Sequence, residues 1–286
     1  MFQPFYQSSI PLSAGQRALP GIIGGLGPLA HIEFEKRLLE QSLKRGASHD
    51  QDHPVWLLIN AASTPDRTKS LQGLVDDATP WLLGYSQLLE KMGADFLIVT
   101  CNTAHAFHER VQPTLTIPWI NMMRAVSRFI VDRYPYTHKI GVIATTGTLQ
   151  AHLYQASLRR VALEPVVPTV GGNVQSQVME SIYAPTWGIK ASGASVSSTA
   201  IETLSNVVDW FAKQGADMVI AGCTEISVGL ACIEDLPLPW IDPLDIVADI
   251  TVAIASGEVV LPATHSQTQS ERIVFPPISS DIKSKV

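Results

Sequence analysis

The chain has 286 residues, 46% of them hydrophobic and 16% charged, with a formal net charge of −6 at pH 7. That is enough apolar material for one large packed unit or two smaller ones, and it argues against a disordered chain. An acidic balance without a long basic run argues against nucleic acid as a partner, because phosphate binding needs clustered Lys and Arg.

In chain order, the first 17 residues show no periodic pattern and read as a flanking tail. A predicted strand at 19–23 runs through the glycine-rich GIIGGLGP into a predicted helix at 29–43. A strand at 55–59 precedes PDRT, and a helix at 81–92 precedes a strand at 96–100 and Cys101. Then come a strand at 140–144, a helix at 149–161, a strand at 165–167, a helix at 199–214 and a strand at 218–221 before Cys223. A short strand at 240–241 and a helix to about Ala255 close the pattern, and a Ser-, Thr-, Gln- and Pro-containing tail covers 262–286. Short apolar strands alternating with longer helices predict an α/β fold with parallel sheets covered on both faces.

An internal repeat refines this. GADFLIVTC ends at Cys101 and GADMVIAGC ends at Cys223. Gly21, opening GIIGGLGPLAH, precedes its cysteine by 80 residues, and Gly141, opening GVIATTGTLQAH, precedes its own by 82. Two landmarks in register predict two pseudo-symmetric α/β domains. The N-terminal half is expected at 18–118, completed by 240–258, and the C-terminal half at 119–239. Ligands of open parallel sheets bind beyond the carboxyl ends of strands, so each half would carry one Cys at an equivalent strand end. Halves packed face to face would set the two sulfurs on either side of one cleft.

Three widely spaced cysteines suit a reducing cytoplasm better than a disulfide framework. No apolar stretch reaches the roughly 18 residues of a membrane span, and no secretory signal is expected at the start. A cysteine opening a helix gains acidity from unpaired backbone N–H groups. A lone Cys is more often a small buried hydrophobe, which is the reading for Cys232; a pair in repeat register points to chemistry. Cys101, His105, His108 and Cys223 also offer soft metal ligands, but lack a tight CxxC spacing, so no metal is expected. GIIGGLGP follows a strand and opens a helix but does not meet the dinucleotide fingerprint; a turn presenting backbone N–H groups to a small carboxylate is the expectation. Arg67 could hold a carboxylate through two bonds, or simply pair with Asp66, and Lys190 lies in the Gly-rich GIKASG.

GIIGGLGPLA, PDRT, VTCNTAH, ATTGT, SIYAPTWGIKASG and AGCTEI, in this order, resemble the motifs of the aspartate/glutamate racemase family over about residues 19–255. The resemblance implies that Cys101 and Cys223 are the catalytic pair and that Arg67 and Lys190 hold the side-chain carboxylate. It implies that Asn102, Thr103 and Thr224 surround the α-carboxylate and that Thr146 lines the same cleft. It also implies no cofactor, neither pyridoxal phosphate nor any other, and a homodimer. Glutamate racemases carry His where this chain has Glu225, and they begin with an Asp-Ser glycine motif absent here, so the aspartate-type branch is favoured. This chain departs from the pattern at His31, where Thr is usual, and at Ser192, inserted before Gly193. The expected function is two-thiol interconversion of L- and D-aspartate, with glutamate as a further candidate. The alternatives are a related isomerase or decarboxylase of another small acid and a silent small-acid binding protein.

Overall fold

The computed structural model describes residues 10–193 and 195–261. The expected tails at 1–9 and 262–286 lie outside the described residues. Two parallel sheets form the frame. The first has order β2-β1-β3, with β1 Pro20–Gly24, β2 Leu57–Asn60 and β3 Phe96–Val99. The second has order β5-β4-β6-β7, with β4 Lys139–Ala144, β5 Glu164–Val166, β6 Met218–Gly222 and β7 Trp240–Ile241.

The halves match beyond strand order. Trp119 bridges β3 at Leu97 in parallel, as β7 pairs with β6 through Val219 and Trp240. Leu97 donates its N–H to the Pro118 carbonyl, and Val219 to that of Pro239. PWIN at 118–121 and PWID at 239–242 are thus a third repeat landmark. Asn121 and Asp242 then cap the helices Met122–Arg133 and Pro243–Ser256.

The Gly-Ala-Asp repeat has a physical basis in both halves. Gly93 (φ 95°) and Gly215 (φ 75°) end helices in the left-handed region, where a Cβ is strained. The carboxylate of Asp95 accepts the Leu19 N–H at 2.7 Å, and that of Asp217 accepts the Lys139 N–H at 2.8 Å. Each aspartate therefore ties the start of its cysteine strand to the start of the central strand. A Cβ on Gly21 would meet Ala94 at 2.9 Å, and one on Gly141 would meet Phe211 at 2.6 Å, so the strand glycines serve close packing.

Three cores stack through the molecule. One spans both halves and joins Ile22, Phe34 and Ile98 to Val142, Ile220 and Val247. The others cover the outer faces, with Leu82, Leu97 and Val99 in the first half and Val207, Phe211 and Val219 in the second. The helix Met122–Arg133, which follows the first sheet, packs on Leu153–Arg160 of the second half, and Pro243–Ser256 packs on Pro28–Lys44 of the first. This exchange of last helices holds the two sheets in one orientation.

Three expectations are corrected. The strand at 240–241 does not complete the first sheet: β7 pairs with β6 of the second sheet, and only the helix after it packs on the first half. The helix expected at 149–161 is two helices, Thr146–Gln150 and Leu153–Arg160, since His152 takes φ 52° and turns the chain between them. Residues 13–17 are not a loose tail: the Gln16 side chain donates to the Val55 carbonyl at 2.8 Å and Arg17 N–H to that of Ala255 at 2.6 Å.

Candidate active site

Cys101 lies one residue beyond the end of β3, after Thr100, and Cys223 directly follows β6; these strands adjoin β1 and β4. Cys223 opens the helix Thr224–Leu230, as expected. Cys101 instead leads into a 3-10 turn, Thr103–Phe107, because His105 folds back to hydrogen-bond the Cys101 carbonyl at 3.0 Å. The His105 ring accepts from Trp119 Nε1 and from the Met122 N–H, both at 3.3 Å, so its Nδ1 carries the hydrogen given to Cys101. Burial lowers the His105 pKa to about 4, which keeps the ring neutral. His108 reaches the Trp119 carbonyl at 3.1 Å.

Both cysteines border one narrow cavity between the halves. Arg67, Asn102, Thr103, Lys190 and Thr224 border it as well. Thr146 does not; Thr145 takes its place, and the Thr146 hydroxyl accepts from Gln175 at 3.2 Å instead. Thr145 caps the helix Thr146–Gln150, and one residue along a helix start rotates a side chain to another face. Cys232 is exposed and does not border the cavity.

Asn102 and Thr103 also clasp the halves together. Tyr154 of the second half donates its hydroxyl to Asn102 at 2.5 Å. Thr103 shares hydroxyl bonds with Thr145 at 2.9 Å and Thr148 at 3.0 Å. These buried pairs fix the carboxyl end of β3 against that of β4.

The two thiols stand in different electrostatic surroundings. Arg67 faces Cys101: burial opposes its charge, the neighbouring Cys101 and Asp66 favour it, and the net effect is a raised pKa. Its Nη atoms donate to the carbonyls of Leu26 (2.6 Å), Thr64 (3.2 Å) and Pro65 (3.2 Å), while its buried Nε has no protein partner. Asp66 does not form an ion pair with Arg67; it caps the helix Arg67–Leu71 through Lys69 N–H at 2.9 Å. Cys223 instead donates to Glu225 Oε2 at 2.9 Å, and the other oxygen of Glu225 pairs with Lys190. Burial, then the Glu225 charge, pushes the Cys223 thiol well above its ordinary range. Burial would also raise Glu225, but Lys190 and the Cys223 hydrogen bond hold it below the usual carboxylate value.

Glu225 and Tyr183, both inside the quoted motifs, border the cavity although neither was expected among the site residues. Tyr183 borders the cavity with Lys190 5.6 Å from its ring centre, and burial raises its phenol pKa. A hint for Glu225 lay in AGCTEISVGL: a carboxylate inside an apolar run must be buried with a cation. The glycine-rich turn is also explained differently from the sequence expectation. Gly25 donates its N–H to His31 Nδ1 at 3.0 Å, and a Cβ on Gly27 would stand 2.9 Å from Lys190 Nζ and 3.0 Å from Glu225 Oε1. The turn makes room for an ion pair delivered by the other half.

The sequence matches the Asp/Glu/Hydantoin racemase family over residues 23–251. It is 27% identical over 241 residues, 82% of this chain and 96% of the relative, to the broad specificity amino-acid racemase RacX of Bacillus subtilis. In fold it resembles an aspartate racemase of Picrophilus torridus, with a TM-score of 0.69, 24% identity and coverage of 84% of this chain and 95% of that one. It also resembles a glutamate racemase of Bacillus anthracis, with a TM-score of 0.60, 19% identity and coverage of 86% and 84%. With the family match spanning both halves of the fold, the chain is an isomerase that belongs to the Asp/Glu/hydantoin racemase family.

Proposed function

We propose that this racemase inverts Cα of an amino acid between two thiols, Cys101 and Cys223, without pyridoxal phosphate, and that aspartate is among its substrates. The observation that carries the reading is that the two repeat-related cysteines, one from each half, border one cavity. A Cα–H is weakly acidic, so one sulfur must act as base while the other, as a thiol, delivers hydrogen to the opposite face. Cys223, held as a thiol by burial and by Glu225, suits the donor role in one direction. Arg67 keeps a spare buried donor, Nε, for a carboxylate, and Lys190 stands beside the same space. Asn102, Thr103 and Thr224 are proposed to line the α-carboxylate, with Thr145 rather than Thr146 beside them. The named relatives are broad-specificity, aspartate and glutamate racemases, which supports an amino-acid substrate.

The test is a chiral assay of the purified chain against D- and L-amino acids without added cofactor. Inversion of aspartate is expected; no inversion of any amino acid would overturn the reading. A homodimer in the cytoplasm is proposed from the family resemblance alone, and sedimentation velocity of the purified chain tests the dimer. Among the described residues no helix is long and apolar enough to cross a membrane.

A further inference from the structure

Two cations beside one cavity suggest a site built for a dicarboxylate, which an amino acid such as alanine would leave with two unpaired charges. The pairing seen here is different. Lys190 already has a carboxylate partner, Glu225, whose side chain is 5% exposed. The Arg67 Nη atoms already reach three backbone carbonyls. Neither charge is left bare when no distal carboxylate is present. The pair sits against Gly27, where a Cβ would press on the ends of both side chains, so the glycine of the first half leaves the pair its space.

We infer that Glu225 is an internal stand-in for a substrate's distal carboxylate, exchangeable at Lys190, so that the cavity takes amino acids both with and without a second acid group. The inference rests on the racemase reading above and names its substrate class. With a monocarboxylic amino acid bound, the Lys190–Glu225 pair stays as it is. With aspartate bound, the distal carboxylate takes Lys190 and Glu225 loses its cation. The groups beside Glu225 are then Cys223 from the residue before its own helix and Tyr183 from the helix Asn173–Tyr183. Besides Lys190, the cation bordering the cavity among the described residues is Arg67, beside Asp66 on the first half, and its Nη atoms are already held by the Leu26, Thr64 and Pro65 carbonyls. The helix Ser198–Lys213 meets the helix Thr224–Leu230 through the apolar Leu204 at Gly229. A buried carboxylate without a counter-ion is neutralised by protonation, so Glu225 takes up a proton from solvent as aspartate enters. Charge balances: the distal carboxylate brings one negative charge and the proton removes one.

Linkage then gives a signature independent of turnover. Binding that takes up a proton weakens as pH rises, by up to about tenfold per pH unit, whereas binding without uptake does not. The experiment is titration calorimetry of the full chain with racemic aspartate and with racemic alanine, in two buffers of different ionisation enthalpy near neutral pH. Racemic ligands are already at equilibrium, so turnover adds no heat. Aspartate is expected to bind with uptake of close to one more proton than alanine. Glu225→Gln is expected to abolish that difference and to raise the ratio of aspartate to alanine affinity about tenfold or more. Equal proton counts for the two ligands, no binding of alanine, or an unchanged affinity ratio in a folded Glu225→Gln protein each overturn the exchange. If Glu225→Gln does not fold, the proton counts of the unaltered chain decide alone. The chiral assay separates the two failures: inversion with equal proton counts sinks the exchange only, whereas no binding and no inversion sink the racemase reading with it.

Discussion

At the scale of single residues, the site divides into sulfur chemistry and the charges that flank it. A serine hydroxyl is far less acidic than a thiol, so Cys101→Ser and Cys223→Ser should each lower racemisation by about three orders of magnitude or more, non-additively. Cys232→Ser should be nearly neutral, because Cys232 is exposed and its thiol donates to the Val228 carbonyl at 3.4 Å, as a serine hydroxyl can. The initial rate of chiral conversion measures all three. Retention of a tenth of the activity by either of the first two, about 1.4 kcal/mol of barrier, contradicts the pair. Gly27→Ala is a sharper probe of the turn. Its Cβ would press on the flexible ends of Lys190 and Glu225, which can swing aside. Activity should therefore fall about tenfold or more while the melting temperature moves little, and the reverse pattern would assign Gly27 to folding alone.

At the scale of elements, the helix Pro243–Ser256 is pinned to the first half by charge as well as by its apolar face. Arg37 of the helix Pro28–Lys44 pairs with Asp242 and Asp245, both at 2.6 Å, and Asp242 also accepts the Ser227 hydroxyl from the helix that Cys223 opens. Removing Arg37 leaves Asp242, whose side chain is 2% exposed, without its cation. Arg37→Met should cost about 3–5 kcal/mol in urea unfolding. Asp245 has the opposite sense to an ordinary salt-bridged acid: burial, and then the Asp242 charge, push it up to about 6. The fold holds that proton more tightly than the unfolded chain does. The stability it brings is complete below the ordinary carboxylate value of 3.8 and is lost as pH rises through about 6. The stability difference between Asp245→Asn and the unaltered protein should therefore change across that window and level off above it; a constant difference from pH 4 to 7 would rule this out.

At the scale of the molecule, the duplication predicts the stereochemistry. If L-aspartate is turned over in deuterium oxide and stopped early, one sulfur removes the proton while the other delivers a deuteron it has already exchanged with solvent. The D-aspartate formed should carry deuterium at Cα almost completely, and the remaining L-aspartate much less. One sulfur acting alone would carry some of the original hydrogen across. Mass spectrometry of the separated enantiomers reads the difference, and substantial protium in the new D-aspartate would refute delivery from opposite faces even if both thiols proved essential. The shared core from Phe34 to Val247 and the exchanged last helices bear on this, since they hold the two strand ends in fixed relation.

What the sequence determined by itself was everything written in local spacing. Strand length, the Gly-Ala-Asp cap and the cysteine that follows it are set within about ten residues, so the two-halved α/β fold and the place of Cys101 and Cys223 at strand ends could be read directly. Seven of the eight expected site residues border the cavity: Cys101, Asn102 and Thr103 follow β3, Cys223 and Thr224 follow β6, Arg67 lies beyond β2, and Lys190, singled out by the resemblance, comes from the short helix Ile189–Ser192. Tertiary structure decided the rest. The partner of Lys190 is 35 residues away, the pair is accommodated by a glycine of the other half, and the clasp of Asn102 by Tyr154 spans 52 residues. Local pattern carries no information on such contacts, because burial turns charge pairing into a requirement only once the halves have closed. The sheet that receives β7 and the turn at His152 are likewise set by which edge and which core the chain can reach, not by the periodicity of the segment itself.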